Sequence, residues 1–420
     1  MIFYLLQIVT SLIAYYYYRH NIIRYLGIVT TIYFFVYFWA ASFDVPLTLY
    51  LGFILLGCGI PKRIDSKYIL IGCGIAIYAL VGFALQDFVL SMSTLITRYS
   101  YVLVYIVIIS LSSSAKKWKA TAADYRFLVI LGFITEILMI VLVWMRHGIG
   151  ARVVTNHQPI GAGIVIAYTM IIGWCYLTKR FSAWEMIIYN ILSIVIVILS
   201  GTRGYMVIIV LPLMITFIAY FLDIPDNGKN MNLRIGLVCI LMAFVTVWIL
   251  SSDVINVLIE MLRLDEGLGY RENENTFVKK IIASAPIYNK IFGFGFGGNA
   301  SHLDGFINIV HEASWNRAFM AVSLLTRTIF HNYWYTVLFK QGFFGLIVMF
   351  LFYISMMLDV KQLKKDMWTK LLIYTTIIGN AVSITFHITA TCSIFEYLIL
   401  AFFIMSLNAD ESECINKEAG

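Results

Sequence analysis

Residues 184–222 read "WEMIIYNILSIVIVILSGTRGYMVIIVLPLMITFIAYFL": two apolar runs separated only by Ser200-Gly201-Thr202-Arg203-Gly204. Each run is about as long as a helix needs to cross a hydrocarbon layer of roughly 30 Å. Between them stands a permanent cation with glycine close on both sides and no acidic neighbour. Two membrane helices meeting in a tight turn account for the pattern. Gly201 suits the position just past a helix C-terminus, and Thr202 is an N-cap candidate for the second helix.

The same pattern recurs along the chain. Of its 420 residues, 61% are hydrophobic and 13% charged, with mean hydropathy +0.86; soluble domains carry about twice that charge. The expectation is an all-α polytopic integral membrane protein with roughly thirteen spans, twelve to fourteen being compatible with the hydropathy. They cover approximately 2–18, 25–42, 45–60, 68–85, 88–111, 126–146, 160–178, 184–200, 204–222, 235–251, 330–358, 368–388 and 390–407. The whole chain, 1–420, reads as one membrane domain, with a long loop at 252–329 and a short polar tail at 408–420. The first run lacks the basic leader and small-residue cleavage site of a signal peptide.

Orientation follows from Lys and Arg in the connections. Eighteen of the 30 cations fall on one side, in "RHNIIR", "PKRIDSK", "AKKWK" through Arg126, "TKR", Lys229 with Arg234, "KQLKKDMWTK" and the tail. That side is expected to be cytoplasmic, which puts Arg203 and the loop 252–329 outside. The net charge of +7 is this topology signal, and nucleic-acid binding is not expected. None of the six cysteines lies in the external loop, so no disulfide framework is implied.

The long loop contains "ENTFVKKIIASA", which sets Phe277, Ile281, Ile282 and Ala285 on one helical face with Lys279 and Lys280 toward the other. Such a helix can lie on the membrane surface or pack against the loop's own neighbours. Gly293, Gly295 and Gly298 match G-x-G-x-x-G, but no preceding strand gives them a dinucleotide fold. "HEASW" at 311–315 lacks the second His of a zinc helix, and no Asp-x-Asp pair offers a divalent-metal seat. No cofactor or metal is expected. The ionisable residues inside spans, Glu136, His387 and Glu396, do not form the relay of an ion-coupled transporter.

Arg203 admits two accounts. It can snorkel to lipid phosphates at the interface, or it can hold an anion. At a helix N-terminus a cation is disfavoured by the dipole, and an anion between guanidinium and free amides relieves both. Arg271, in "GLGYRENENTFVKK", and His331, in "RTIFHNYWYTVLFKQGFFGLIVMF", are expected on the same external face. Each alone also has an ordinary interfacial explanation.

"SGTRGYMVIIVL" resembles the S-G-[ST]-R-G signature of the O-antigen polymerase and O-antigen ligase superfamily. "YRENENTFVKKIIASAPIYNKIFGFGFG" is similar to its external segment, and "HNYWYTVLFKQGFFGLI" to its re-entry helix. The resemblance covers roughly residues 150–360. It implies a GT-C-like, metal-independent glycosyltransferase in the bacterial inner membrane, with its active site facing the periplasm. Donor and acceptor would be undecaprenyl-diphosphate-linked oligosaccharides, and a chain-length regulator is an implied partner. Carried over, Arg203 and Arg271 would bind the donor diphosphate and His331 would take the acceptor hydroxyl's proton. Arg152, Asn332, Tyr270 and Thr202 would line the substrate; "NHQP" near Arg152 departs from the usual Asn-Pro pattern. Within the superfamily, abundant Ile, Tyr, Phe and Asn (residues with AT-rich codons) favour a surface-polysaccharide polymerase in lipopolysaccharide biosynthesis. The alternatives are a ligase acting on lipid A–core and, further off, a lipid-linked sugar transporter.

Overall fold

A computed structural model describes residues 2–39, 44–58, 120–149, 154–155, 158–159, 162–200, 203–222, 224–226, 268–295, 332–363 and 365–383, with isolated positions between 66 and 77 and at 232. Expected spans at 88–111, 235–251 and 390–407, and more than half of 68–85, lie outside them. The regular elements among the described residues are helices, apart from a two-residue antiparallel ladder, β1 (Val154–Thr155) with β2 (Gln158–Pro159). The chain divides into two compact units, each discontinuous in sequence: 1–119 with 269–359 and 384–420, and 120–268 with 360–383.

In the first unit, α1 (Ile2–Tyr18), α2 (Ile22–Trp39) and α3 (Asp44–Cys58) pack together. Polar side chains on these apolar helices are used internally. Tyr25 donates to the Phe53 carbonyl at 2.7 Å, Thr30 and Tyr50 share a hydroxyl bond of 3.0 Å, and Gln7 donates to the Pro46 carbonyl at 2.9 Å. Bonds of this kind tie helices together where burial alone gains little over lipid.

The second unit contains α4 (Ala122–His147), α5 (Ala162–Leu177), α6 (Ala183–Ser200) and α7 (Arg203–Phe221). α4 starts with a reciprocal cap between Thr121 and Asp124, the box that satisfies orphan amides at a helix start. Basic residues gather at that end. Arg126 pairs with Glu185 at 2.6 Å and donates to the Arg180 carbonyl, while Arg180 lies over the Trp174 ring at 4.4 Å. One face of α4 leaves Ile130, Ile134, Ile137, Leu138 and Val141 exposed. Uncovered apolar faces of this kind suit a lipid surround.

The first unit resumes with α8 (Leu268–Ser284), α9 (Ile287–Phe292) and α10 (Tyr333–Gln362); α11 (Met367–Ser383) closes the second, packed on α7 and α5. Among the described residues, four helices are long and apolar enough to cross a membrane: Ile22–Trp39, Ala122–Arg146, Ala183–Ser200 and Trp334–Gln362. The chain is consistent with a membrane protein on this ground.

The last of these is not one straight rod, and here the single span expected at 330–358 needs correction. Trp334 stacks on Phe350 with ring centroids 5.1 Å apart and also meets Tyr353 at 6.2 Å. Sixteen residues of continuous helix would separate the first pair by about 24 Å. The chain folds back at Gly342, whose φ of 62° and ψ of −163° leave the helical region. A short limb, 333–341, lies against a longer one, 343–362, and only the longer limb spans about 30 Å.

Candidate functional site

The fold-back is clasped by the glycine-rich stretch after α9. Gly293 ends that helix, its amide bonding the Asn289 carbonyl at 2.7 Å, and buried Asn289 returns a bond from its amide to the Gly293 carbonyl at 3.0 Å. Breaking a helix frees carbonyls that would have met amides four residues on. Two of these are recovered: Phe294 N–H donates to the Phe339 carbonyl at 2.9 Å, and Gly295 N–H to that of Lys340 at 3.0 Å. Gly293 and Gly295 therefore serve the packing of backbone on backbone. A Cβ on Gly342 would lie 2.4 Å from the Ile291 carbonyl oxygen, and one on Gly293 2.4 Å from that of Lys340.

Around this clasp sits a hydrophobic cluster of Phe277, Val278, Ile281, Ile282, Ala285, Phe294 and Phe339. Of the two settings open to the amphipathic loop segment, its apolar face takes the second and packs on chain neighbours. Lys279 stands outside the cluster with its ammonium 5.8 Å from the Tyr335 ring centroid. Lys340, beside the fold-back, is buried at 5% exposure. Hydropathy placed it in a span but offered no sign that the helix breaks two residues later.

The residues carried over from the family resemblance fall as follows. Arg203 is the first residue of α7, three positions after Ser200 ends α6, as the turn pattern implied. Ser200 is buried and spends its hydroxyl on the Val197 carbonyl at 2.8 Å. Tyr270 and Arg271 lie in the first turn of α8. Asn332 is buried immediately before α10, and its Oδ1 accepts the Trp334 amide at 3.0 Å. Its own carbonyl accepts the Thr336 amide at 3.1 Å. Asn332 is thus an N-cap that holds the start of that helix. His331, Arg152 and Thr202 lie outside the described residues.

One packed core joins the helix of Arg271 to that of Asn332. Arg271 is eight residues, about 12 Å of helix, from Lys279, which meets Tyr335 three positions after Asn332. Arg203 belongs to the other unit. Among the described residues no group of three His, Cys, Asp or Glu side chains is placed to hold a metal ion.

Sequence reasoning gave no role to two polar side chains that are buried in the second unit. Glu136 on α4 is 1% exposed and Asn190 on α6 is fully buried. Glu136 was visible as an acid inside an apolar run; Asn190 looked like one polar position in a long helix.

No family model matches the chain, and no curated protein is detectably similar to it.

Proposed function

We propose that this chain is a membrane-embedded polysaccharide polymerase that transfers a growing glycan from a polyprenyl diphosphate to a lipid-linked repeat unit. The observation that carries the proposal is the "SGTRG" turn: Arg203 opens a helix directly after another apolar helix ends. A guanidinium beside free helix amides suits a phosphate, which accepts from its planar fork of donors. The ordered resemblance of this turn, of the α8 segment and of the "HNYWY" segment to the O-antigen polymerase and ligase superfamily supplies the reaction class.

In the proposed reaction the acceptor hydroxyl attacks the anomeric carbon of the donor sugar. The C1–O bond to the diphosphate breaks, and its electron pair leaves on the phosphate oxygen. Arg203 and Arg271 stabilise that developing charge, a kind of contribution worth about 10²–10³ in rate per donor group. His331 takes the proton from the attacking hydroxyl; an imidazole with a pKa near 6.5 is suited to that work. The lipid tails stay in the bilayer, so a site at the external end of the spans serves both substrates. The proposal includes the finer architecture: twelve to fourteen spans, a GT-C-like arrangement, the bacterial inner membrane and a periplasmic site.

Expression in two bacterial hosts tests it, one lacking its own polymerase and one lacking its ligase, both supplied with the matching repeat-unit genes. Conversion of single-repeat lipopolysaccharide into a ladder in the first host is the expected result. A ladder restored only in the ligase-deficient host makes the chain a ligase. Neither ladder, with protein present in the membrane, overturns the glycosyltransferase assignment.

A further inference from the structure

We propose that Glu136 and Asn190 form a binding site for a monovalent cation, of the Na⁺ class, inside the second unit. The inference does not depend on the glycosyltransferase proposal.

α4 and α6 run side by side in the same direction. Arg126 meets Glu185 near the start of both, and Phe133 meets Tyr189 further along with ring centroids 6.0 Å apart. Glu136 follows Phe133 by three residues, about 4.5 Å of helix, while Asn190 and Ser193 follow Tyr189 by about 1.5 and 6 Å. Taken from the two contacts, the Glu136 backbone stands about 3–7.5 Å beyond that of Asn190 and within about 3 Å of that of Ser193 along the axis, a gap their side chains can span. On α6 these residues belong to the inward face: Met186, Asn190, Ser193, Val197 and Ser200 are all buried, at the spacing of one helical stripe.

Three atoms at this level have no hydrogen-bond partner among the described residues: Glu136 Oε1, Asn190 Oδ1 and Asn190 Nδ2. Buried polar atoms are nearly always satisfied, and a carboxyl inside a membrane bundle is costly without a partner. Carboxylate and amide do not satisfy each other here. The Ser193 hydroxyl donates to the Tyr189 carbonyl at 2.9 Å, which leaves its oxygen lone pairs available.

A hard oxygen set selects a hard cation. One carboxylate balances one positive charge, which favours a monovalent ion over a divalent one. The described cations of these helices are placed elsewhere. Arg126 is engaged by Glu185 and Arg180 lies over Trp174. Arg126 and Arg146 are each ten residues from Glu136, about 15 Å along the axis.

The test uses the purified full-length protein in nanodiscs of uncharged lipid. Its unfolding temperature is followed as NaCl replaces choline chloride at constant ionic strength, alongside binding of radiolabelled Na⁺. A ligand that binds only the folded state raises its stability in a saturable way. The expected result is a saturable rise with Na⁺ and about one Na⁺ bound per chain, both lost in Glu136→Gln and weakened in Asn190→Ala. Glu136→Gln in choline should unfold no lower than the unsubstituted protein, since the amide removes a buried charge. That outcome separates loss of the site from loss of the fold. A wild-type protein indifferent to Na⁺, a response retained in Glu136→Gln, or an equal response to Mg²⁺ overturns the assignment. A response to pH without one to Na⁺ also overturns it, and leaves Glu136 as a proton site only.

Discussion

Replacing Gly342 with alanine is the sharpest probe of the fold-back. The added Cβ would lie 2.4 Å from the Ile291 carbonyl oxygen, 2.5 Å from its carbon and 2.6 Å from the Gly293 nitrogen. All three are backbone atoms, so no rotamer change relieves the contact. The backbone itself, at φ 62° and ψ −163°, lies in a region essentially reserved for glycine, at a cost of about 1–3 kcal/mol for any other residue. If the clasp opens to make room, the bonds from Phe294 and Gly295 to the Phe339 and Lys340 carbonyls are lost as well. Each buried carbonyl left unsatisfied costs about 1–3 kcal/mol. The expected destabilisation is therefore about 2–9 kcal/mol, taking strain together with one or both bonds. Gly293→Ala should behave alike, because its Cβ would meet the Lys340 carbonyl from the opposite side at φ 74°. Gly52→Ala is the matched control: nothing lies within 4 Å of its added Cβ, and α3 should gain slightly from a better helix former. Reversible unfolding in mixed detergent micelles reads the difference, with proteolysis between α9 and α10 as a local probe. Wild-type stability in Gly342→Ala would refute the clasp.

Four further substitutions test other parts of the molecule. Thr121→Ala removes the hydroxyl half of the α4 cap and should cost about 0.5–2 kcal/mol in the same unfolding assay; no change would mean that solvent replaces the cap without loss. Tyr25→Phe deletes the bond to the buried Phe53 carbonyl and should cost about 1–3 kcal/mol. A neutral result would place that carbonyl in contact with another donor. Arg203→Lys keeps the charge but loses the planar fork, so elongation should fall by about 10²–10³ at unchanged protein level. Full activity would identify Arg203 as an interfacial anchor. His331→Ala should abolish elongation with membrane insertion intact, and long-chain product from a well-expressed variant would remove His331 from the mechanism.

Much of the helical layout is legible residue by residue. Apolar runs at 2–18, 184–200 and 204–222 became α1, α6 and α7 almost to the residue. The reason is local: a backbone in hydrocarbon must satisfy its own amides, so an apolar stretch of sufficient length has few options besides a helix. The start of α7 at Arg203 was legible for the same reason, as a short glycine-flanked polar turn between two such stretches. The inward face of "TFVKKIIASA" was legible too, because helical periodicity shows which side is apolar. What that side packs against was not.

Tertiary structure decided that partner, and it decided the reversal at Gly342. In "LFKQGFFGLIVMF" the glycine looks like one small residue in a continuous span. It becomes a corner only because residues 291–295, nearly fifty positions earlier, dock on it and take over the carbonyls that a broken helix sets free. Burial of Glu136 beside the level of Asn190 has the same character. Sequence shows an acid in one helix and an amide in another, whereas the packing of α4 on α6 sets them at neighbouring levels without a bond between them. A run of side chains determines its own preference for lipid or water, but which distant backbone or side chain will meet it depends on contacts that hydropathy and periodicity do not encode.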